Sequence, residues 1–271
     1  MALGFCGNVP GSIKPLIFNL NVYATKGHPP TIIDTPERVS QLMDDLLLDP
    51  TENLYVDLEG ENLCRHGTIT IVAIHLIEPR QTYLVDVHTL GDAASHTPAA
   101  TDNTTTLKTI LESPTRTKVF LDVRSDSDAL RVLYDILLQG AEDVQIMELG
   151  FRQCTGGWLR RLGPAAGDVV LLPQRRREYI ATLDDFQMWS VERETAVRWE
   201  ESQDDGYVLR GRRKALVPWA VGDFENWNKE YNRMIEDEYY PTENHESEAS
   251  DAENYFFWSH QVSFWFYEVA L

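Results

Sequence analysis

Three strand-forming runs follow one another with only short connections between them. Asn53–Glu59 (NLYVDLE), Thr68–Leu76 (TITIVAIHL) and Thr82–Val87 (TYLVDV) are rich in β-branched residues. The stretches Gly60–Gly67 and Glu78–Gln81 interrupt them as turns do. A parallel crossover needs a dozen residues or more, so connections this short favour an antiparallel meander.

The flanking sequence changes period. Ahead of the meander, Thr35 suits an N-cap, Pro36 the first helical position and Glu37 the positive end of the helix dipole; Val39, Leu42, Met43, Leu46 and Leu47 then recur at helical spacing. After it, a Thr-, Ala- and His-rich loop (Gly91–Thr106) leads to a short helix around Leu107–Leu111. An apolar strand at Lys118–Leu121 follows, then a periodic helix through Leu130, Leu133, Tyr134, Leu137 and Leu138, and a short fifth strand is expected at Val144–Met147. This order predicts an α/β fold of the ribonuclease H-like kind: a mixed sheet, an antiparallel three-strand meander plus parallel strands, flanked by helices. Residues 1–30, rich in Gly, Pro and Asn, read as an arm. The pattern is poor from Gly156 to Gly211, apart from a helix near Phe186–Trp199, and Trp219–Asp237 reads as a late helix. The expected domain spans 31–237, with 152–214 divergent and 238–271 an acidic, then aromatic, tail.

Charge narrows the partners. Against 24 Lys+Arg stand 43 Asp+Glu, a net charge of −19, which argues against a protein that coats nucleic acid through a general positive field. The imbalance is uneven: residues 152–214 hold 12 basic and 10 acidic side chains, whereas 215–271 hold 2 and 12. No apolar run reaches membrane-spanning length, and the first 26 residues lack the order of a signal peptide. Cys6, Cys64 and Cys154 are scattered without metal-ligand spacing, as free thiols in a reducing, intracellular compartment would be, cytoplasmic or nuclear.

Two acidic groups stand out. In Val56-Asp57-Leu58-Glu59-Gly60, residues two apart share a strand face, so Asp57 and Glu59 project together. Paired carboxylates on a buried strand repel and lose hydration unless a cation offsets them, and hard oxygen ligands suit Mg²⁺ or Mn²⁺. The same spacing occurs in Asp223-Phe224-Glu225 and Asp251-Ala252-Glu253, so spacing alone decides nothing; the apolar strand and the loop after it set the first pair apart. In the second group, Lys118-Val-Phe-Leu-Asp122-Val-Arg124-Ser-Asp126-Ser-Asp128-Ala-Leu130, a strand runs into a helix whose first turn is acidic. Taken alone, this reads as helix capping by Ser125, Asp126 and Asp128.

Taken in order, Ile33-Asp-Thr-Pro-Glu37, Leu54-Tyr-Val-Asp-Leu-Glu-Gly60, Leu63-Cys-Arg-His-Gly67, Asp122-Val-Arg-Ser-Asp-Ser-Asp-Ala-Leu130 and Asp143-Val-Gln-Ile-Met-Glu-Leu149 resemble the DEDD-type 3′–5′ exonucleases of the ribonuclease D-like branch, and fungal 3′–5′ exonuclease domain-containing proteins most of all. The resemblance covers roughly residues 32–151. It implies four carboxylates holding two divalent metal ions, Mg²⁺ or Mn²⁺, that hydrolyse phosphodiester bonds at the single-stranded 3′ end of RNA or DNA. By resemblance, Asp57 and Glu59 fill the first motif and Asp126 the second, with Asp122 and Asp128 as fallbacks. The fourth ligand is Asp223, in Trp219-Ala-Val-Gly-Asp223. There the family places a Tyr four residues before the Asp, or a His five before it, and this chain has Trp219 and Pro218. Indole donates a hydrogen bond and cannot accept a proton. Arg65, His66 and Arg124 are candidate phosphate contacts, weighed evenly against structural pairing with nearby carboxylates. The rival expectation is a catalytically impaired relative that keeps the fold as a nucleic-acid-binding or protein-interaction module.

Overall fold

The computed structural model describes residues 28–152, 169–209, 219 and 223–239. Thr31–Ile33 forms a short strand, β1, at the end of what reads as the arm. Helix α1 (Pro36–Leu47) starts where its capping residues place it: the Thr35 hydroxyl accepts the Arg38 N–H, Pro36 opens the helix, and Val39, Leu42, Met43 and Leu46 are buried. The three strand-like runs become β2 (Leu54–Glu59), β3 (Ile71–Leu76) and β4 (Gln81–Asp86), paired antiparallel in sequence order. A short helix, α2 (Val87–Leu90), follows β4 directly, α3 (Ala93–His96) interrupts the expected loop, and α4 (Leu107–Leu111) comes after it.

Strand β5 (Lys118–Phe120) runs parallel to β2, and β6 (Ala141–Asp143) runs parallel to β5, while β1 lies parallel to β4. The sheet order is β1-β4-β3-β2-β5-β6. It is the mixed sheet that the order of the runs predicts, with β2 inside it, between an antiparallel neighbour and a parallel one. One face carries a core that includes Leu42, Val56, Leu58, Ile74, Phe120 and Leu130. Burying each such side chain stabilises the fold by about 1.5–3 kcal/mol.

Two expectations are corrected. The segment Val144–Met147 is not a strand but the start of α6 (Val144–Phe151); the strand lies just before it. The switch comes at Asp143, whose carboxylate accepts the Gln145 N–H at 2.9 Å and caps the helix. The helix expected to continue through Leu138 is α5 (Val123–Tyr134), and it stops because Asp135 adopts the left-handed conformation at φ 52°. Within the poorly patterned stretch lie α7 (Leu172–Ile180) and α8 (Asp185–Gln203). Helix α8 starts with a capping box between Asp184 and Gln187 and packs along α5 and against α6 and β6.

Two compact units divide after Phe224. The first holds the sheet and α1–α8. The second holds most of α9 (Asp223–Tyr239), along which Trp227, Tyr231, Met234 and Ile235 are half-buried while Asn226, Asn228 and Lys229 are exposed. Helix α9 begins later than the pattern predicts, and Trp219 precedes it in non-helical chain. Cys6, Cys154, the Arg212-Arg213-Lys214 run and the acidic and aromatic tail lie outside the described residues.

Candidate active site

The pleat of β2 sorts its side chains as the sequence pattern requires. Leu54, Val56 and Leu58 join the core, and Asp57 and Glu59 are half-buried on the opposite face. The strand ends at Gly60, where a Cβ would lie 1.8 Å from the Thr68 carbonyl oxygen, so only glycine lets the returning chain approach this closely.

Asp126 comes to this face from the first turn of α5 and is 5% exposed. Burial, reinforced by the charges of Asp57, Asp122, Glu59 and Asp143, pushes its carboxyl well above the usual aspartate range. The two acidic motifs therefore converge, close enough for Asp57 and Glu59 to be felt at Asp126. Among the described residues no basic side chain pairs with Asp126.

The other two aspartates of the motif are engaged elsewhere. Asp122 precedes α5 in the left-handed conformation (φ 60°, ψ 72°), and Arg124 grips its carboxylate with Nε at 2.6 Å and Nη2 at 2.8 Å. Burial works to raise the Asp122 pKa, but the bonded Arg124 and the nearby Arg198 outweigh it and hold the group below the usual range. Asp128 accepts both the backbone N–H of Arg65 at 2.8 Å and its Nε at 2.5 Å. Arg65 continues to the carbonyls of Asp204 (2.7 Å) and Asp205 (2.6 Å) and lies over the Tyr207 ring. Arg65 thus ties the loop after β2 to α5 and to the turn after α8, and Arg124, in the first turn of α5, holds Asp122 of the β5–α5 turn. His66 is exposed.

Two buried residues that the sequence reading did not single out lie behind this turn. Asp143, with no exposed surface, accepts the N–H groups of Asp122 (2.9 Å), Val123 (3.4 Å) and Gln145 (2.9 Å). Arg198 of α8 reaches it with Nη1 at 3.0 Å and also donates to Gln145 Oε1 at 2.9 Å. Neither residue could be paired from one sequence, because 55 positions separate them.

Trp219 is wholly buried, with Cη2 3.6 Å from where a Cβ on Gly150 of α6 would stand. Asp223 is the first residue of α9, and its side chain lies outside the described residues. Among the described residues no three His, Cys, Asp or Glu side chains stand ready to hold one metal ion. Donor chemistry and charge nevertheless fit a hard divalent cation: Asp57 and Glu59 lie within electrostatic reach of Asp126, which carries a repulsion that such a cation would offset.

Residues 30–154 match the family model described as 3′-5′ exonuclease. The matched segment is similar to the 3′–5′ exonuclease domains of that family. It contains Asp57, Glu59 and Asp126 and ends before Trp219 and Asp223. No curated protein sequence matches the chain. Among solved structures, Trypanosoma brucei RNase D in complex with RNA U12 is 18% identical, with a TM-score of 0.57 over 75% of this chain and 79% of that one. The crystal structure of Trypanosoma brucei RNase D is 19% identical (TM-score 0.53; 74% and 80% covered), and its GMP complex is 17% identical (0.54; 74% and 70%). At these identities the likeness establishes the fold alone: this chain shares the RNase D fold. No helix among the described residues is long and apolar enough to cross a membrane.

Proposed function

We propose that this chain is a divalent-metal-dependent 3′–5′ exonuclease that hydrolyses the terminal phosphodiester bond of RNA or single-stranded DNA. The observation that carries the reading is Asp126: a buried aspartate that burial and the neighbouring carboxylates of both motifs hold far above its ordinary pKa, while each flanking aspartate of its motif is taken by an arginine. Such an unbalanced acidic cluster is costly to keep without a cation.

Asp57, Glu59 and Asp126 would hold the cations, with Asp223 as the fourth ligand carried over from the family pattern. When bound, divalent ions supply a nucleophilic water at neutral pH and neutralise charge at the scissile phosphate. The protein's own part is orientation. Strand β2 presents two carboxylates on one face, the first turn of α5 presents the third, and the loop after β2 is fixed to both elements by Arg65. With Arg65 and Arg124 committed to carboxylates, His66 is the exposed one of the three candidate phosphate contacts. RNA is the first substrate to test, since the Trypanosoma brucei RNase D structure similar to this chain is a complex with RNA U12.

The second reading, an exonuclease fold without turnover, is favoured by Trp219. It occupies the family's Tyr position, cannot accept a proton, and is enclosed. One experiment separates the two: Mn²⁺-dependent degradation of 3′-labelled and 5′-labelled oligonucleotides by wild type and Asp57→Asn. The exonuclease reading expects immediate release of the 3′ label, a descending ladder from the 5′ label, and loss of at least 10²-fold in rate in Asp57→Asn. No metal-dependent loss from the 3′ end in wild type rejects it in favour of a binding module.

A further inference from the structure

We propose that Asp143 and Arg198 are a positioning pair that holds the β5–α5 turn and thereby presents Asp126 to the cation site; this inference rests on the exonuclease reading above. The turn between Phe120 and Val123 must reverse abruptly enough to place the first turn of α5 beside β2. It does so through Asp122, a non-glycine residue at φ 60°, a left-handed conformation that side chains disfavour and that persists only where its surroundings over-determine it. The Asp122 side chain makes no cap bond to its own helix.

The missing restraint comes from β6. Asp143 ends that strand, and its two carboxylate oxygens take the N–H groups of Asp122 and Val123 on the neighbouring turn as well as that of Gln145 in its own helix. The three N–H groups leave a net negative charge in the interior, and Arg198 of α8 offsets it, with a second bond to Gln145. Arg198 Nη1 also stands 3.7 Å from Asp122 Oδ1, and its Nε 3.7 Å from Glu194 Oε1. The pair therefore joins β6, α6 and α8 to the one turn whose geometry decides where Asp126 points. Neither residue contacts the reacting atoms; both would act through Asp126.

The test uses the full chain and three readouts: Mn²⁺ affinity by calorimetric titration, kcat and KM on a 3′-labelled oligonucleotide, and hydrogen–deuterium exchange over residues 120–127. Arg198→Met removes the charge and both bonds at similar length. The expected result is faster exchange in that segment, Mn²⁺ binding weakened 10- to 100-fold, and kcat reduced with KM little changed. Arg198→Lys keeps the charge without the planar fork and is expected to recover part of the affinity; it also serves if Arg198→Met does not fold. Wild-type Mn²⁺ affinity in a folded variant whose segment exchanges faster overturns the positioning role while leaving the exonuclease reading intact. Absence of Mn²⁺ binding by wild type overturns that reading and this inference with it.

Discussion

At the scale of single residues, three aspartates within one stretch have been given different work by their neighbours. Asp122 and Asp128 each meet an arginine, whereas Asp126 meets other carboxylates. Because its folded pKa lies above the unfolded value, the native metal-free protein holds a proton that the unfolded chain has released. Stability therefore falls as pH rises from the ordinary aspartate range toward the folded pKa, and the full penalty applies above it. Asp126→Asn removes the ionisation. In the presence of a chelator it is expected to melt higher than wild type at pH 8, by about 2–4 °C for each 1 kcal/mol of repulsion relieved, with the advantage vanishing near pH 4. The same variant is expected to lose the stabilisation that Mn²⁺ gives wild type, and Mn²⁺ binding by wild type is expected to weaken as pH falls, since the cation must displace the proton. A lower melting temperature for Asp126→Asn at pH 8 without metal would mean that the ionised Asp126 stabilises the fold, overturning the repulsion assigned to its neighbours.

At the scale of elements, the supporting helices meet through close approaches that one sequence conceals. A Cβ on Gly150 of α6 would lie 2.9 Å from Val191 Cγ2 of α8, and valine has little rotamer freedom with which to yield. Gly150→Ala gains about 1 kcal/mol of helix propensity but incurs overpacking of roughly 1–3 kcal/mol, so a net loss is expected in denaturant unfolding. That loss should shrink when Val191 is also alanine, as a double-mutant cycle would measure; equal losses in both backgrounds would place the strain elsewhere. Legibility followed the range of the interactions. Helix α1 was readable because Thr35, Pro36 and the apolar repeat are neighbours, and the meander because its connections are short. The end of α5 was not, since a left-handed Asp135 leaves the leucine period unbroken through Leu138. Strand β1 was hidden because three residues carry no period and pair with β4 some fifty positions away. In the site, the β2 pair followed from the pleat, but the partners of Asp122 and Asp128, and the Asp143–Arg198 pair, depend on contacts across the fold.

At the scale of the whole molecule, the net charge of −19 must be reconciled with the nucleic-acid substrate proposed above. The ion pairs sharpen the difficulty, for Arg38, Arg65, Lys108, Arg124, Arg131, Arg152, Arg176 and Arg198 are all matched to carboxylates. These side chains are already neutralised, so on the proposed exonuclease reading bound cations would provide most of the local positive charge at the strand end. Two consequences are measurable by anisotropy with a fluorescent oligonucleotide bearing phosphorothioate linkages at its 3′ end to slow cleavage. With a chelator, binding should be at least tenfold weaker than with Mn²⁺. With Mn²⁺, the plot of log affinity against log salt should be shallow, because each phosphate neutralised by a basic side chain adds only about −0.7 to the slope for a single strand. A slope no steeper than about −2 corresponds to about three such contacts or fewer. Tight metal-free binding with a steep slope would instead place a basic groove on the chain, and the mildly positive stretch 152–214, with Arg160, Arg161, Arg212, Arg213 and Lys214, is where its charges would have to come from.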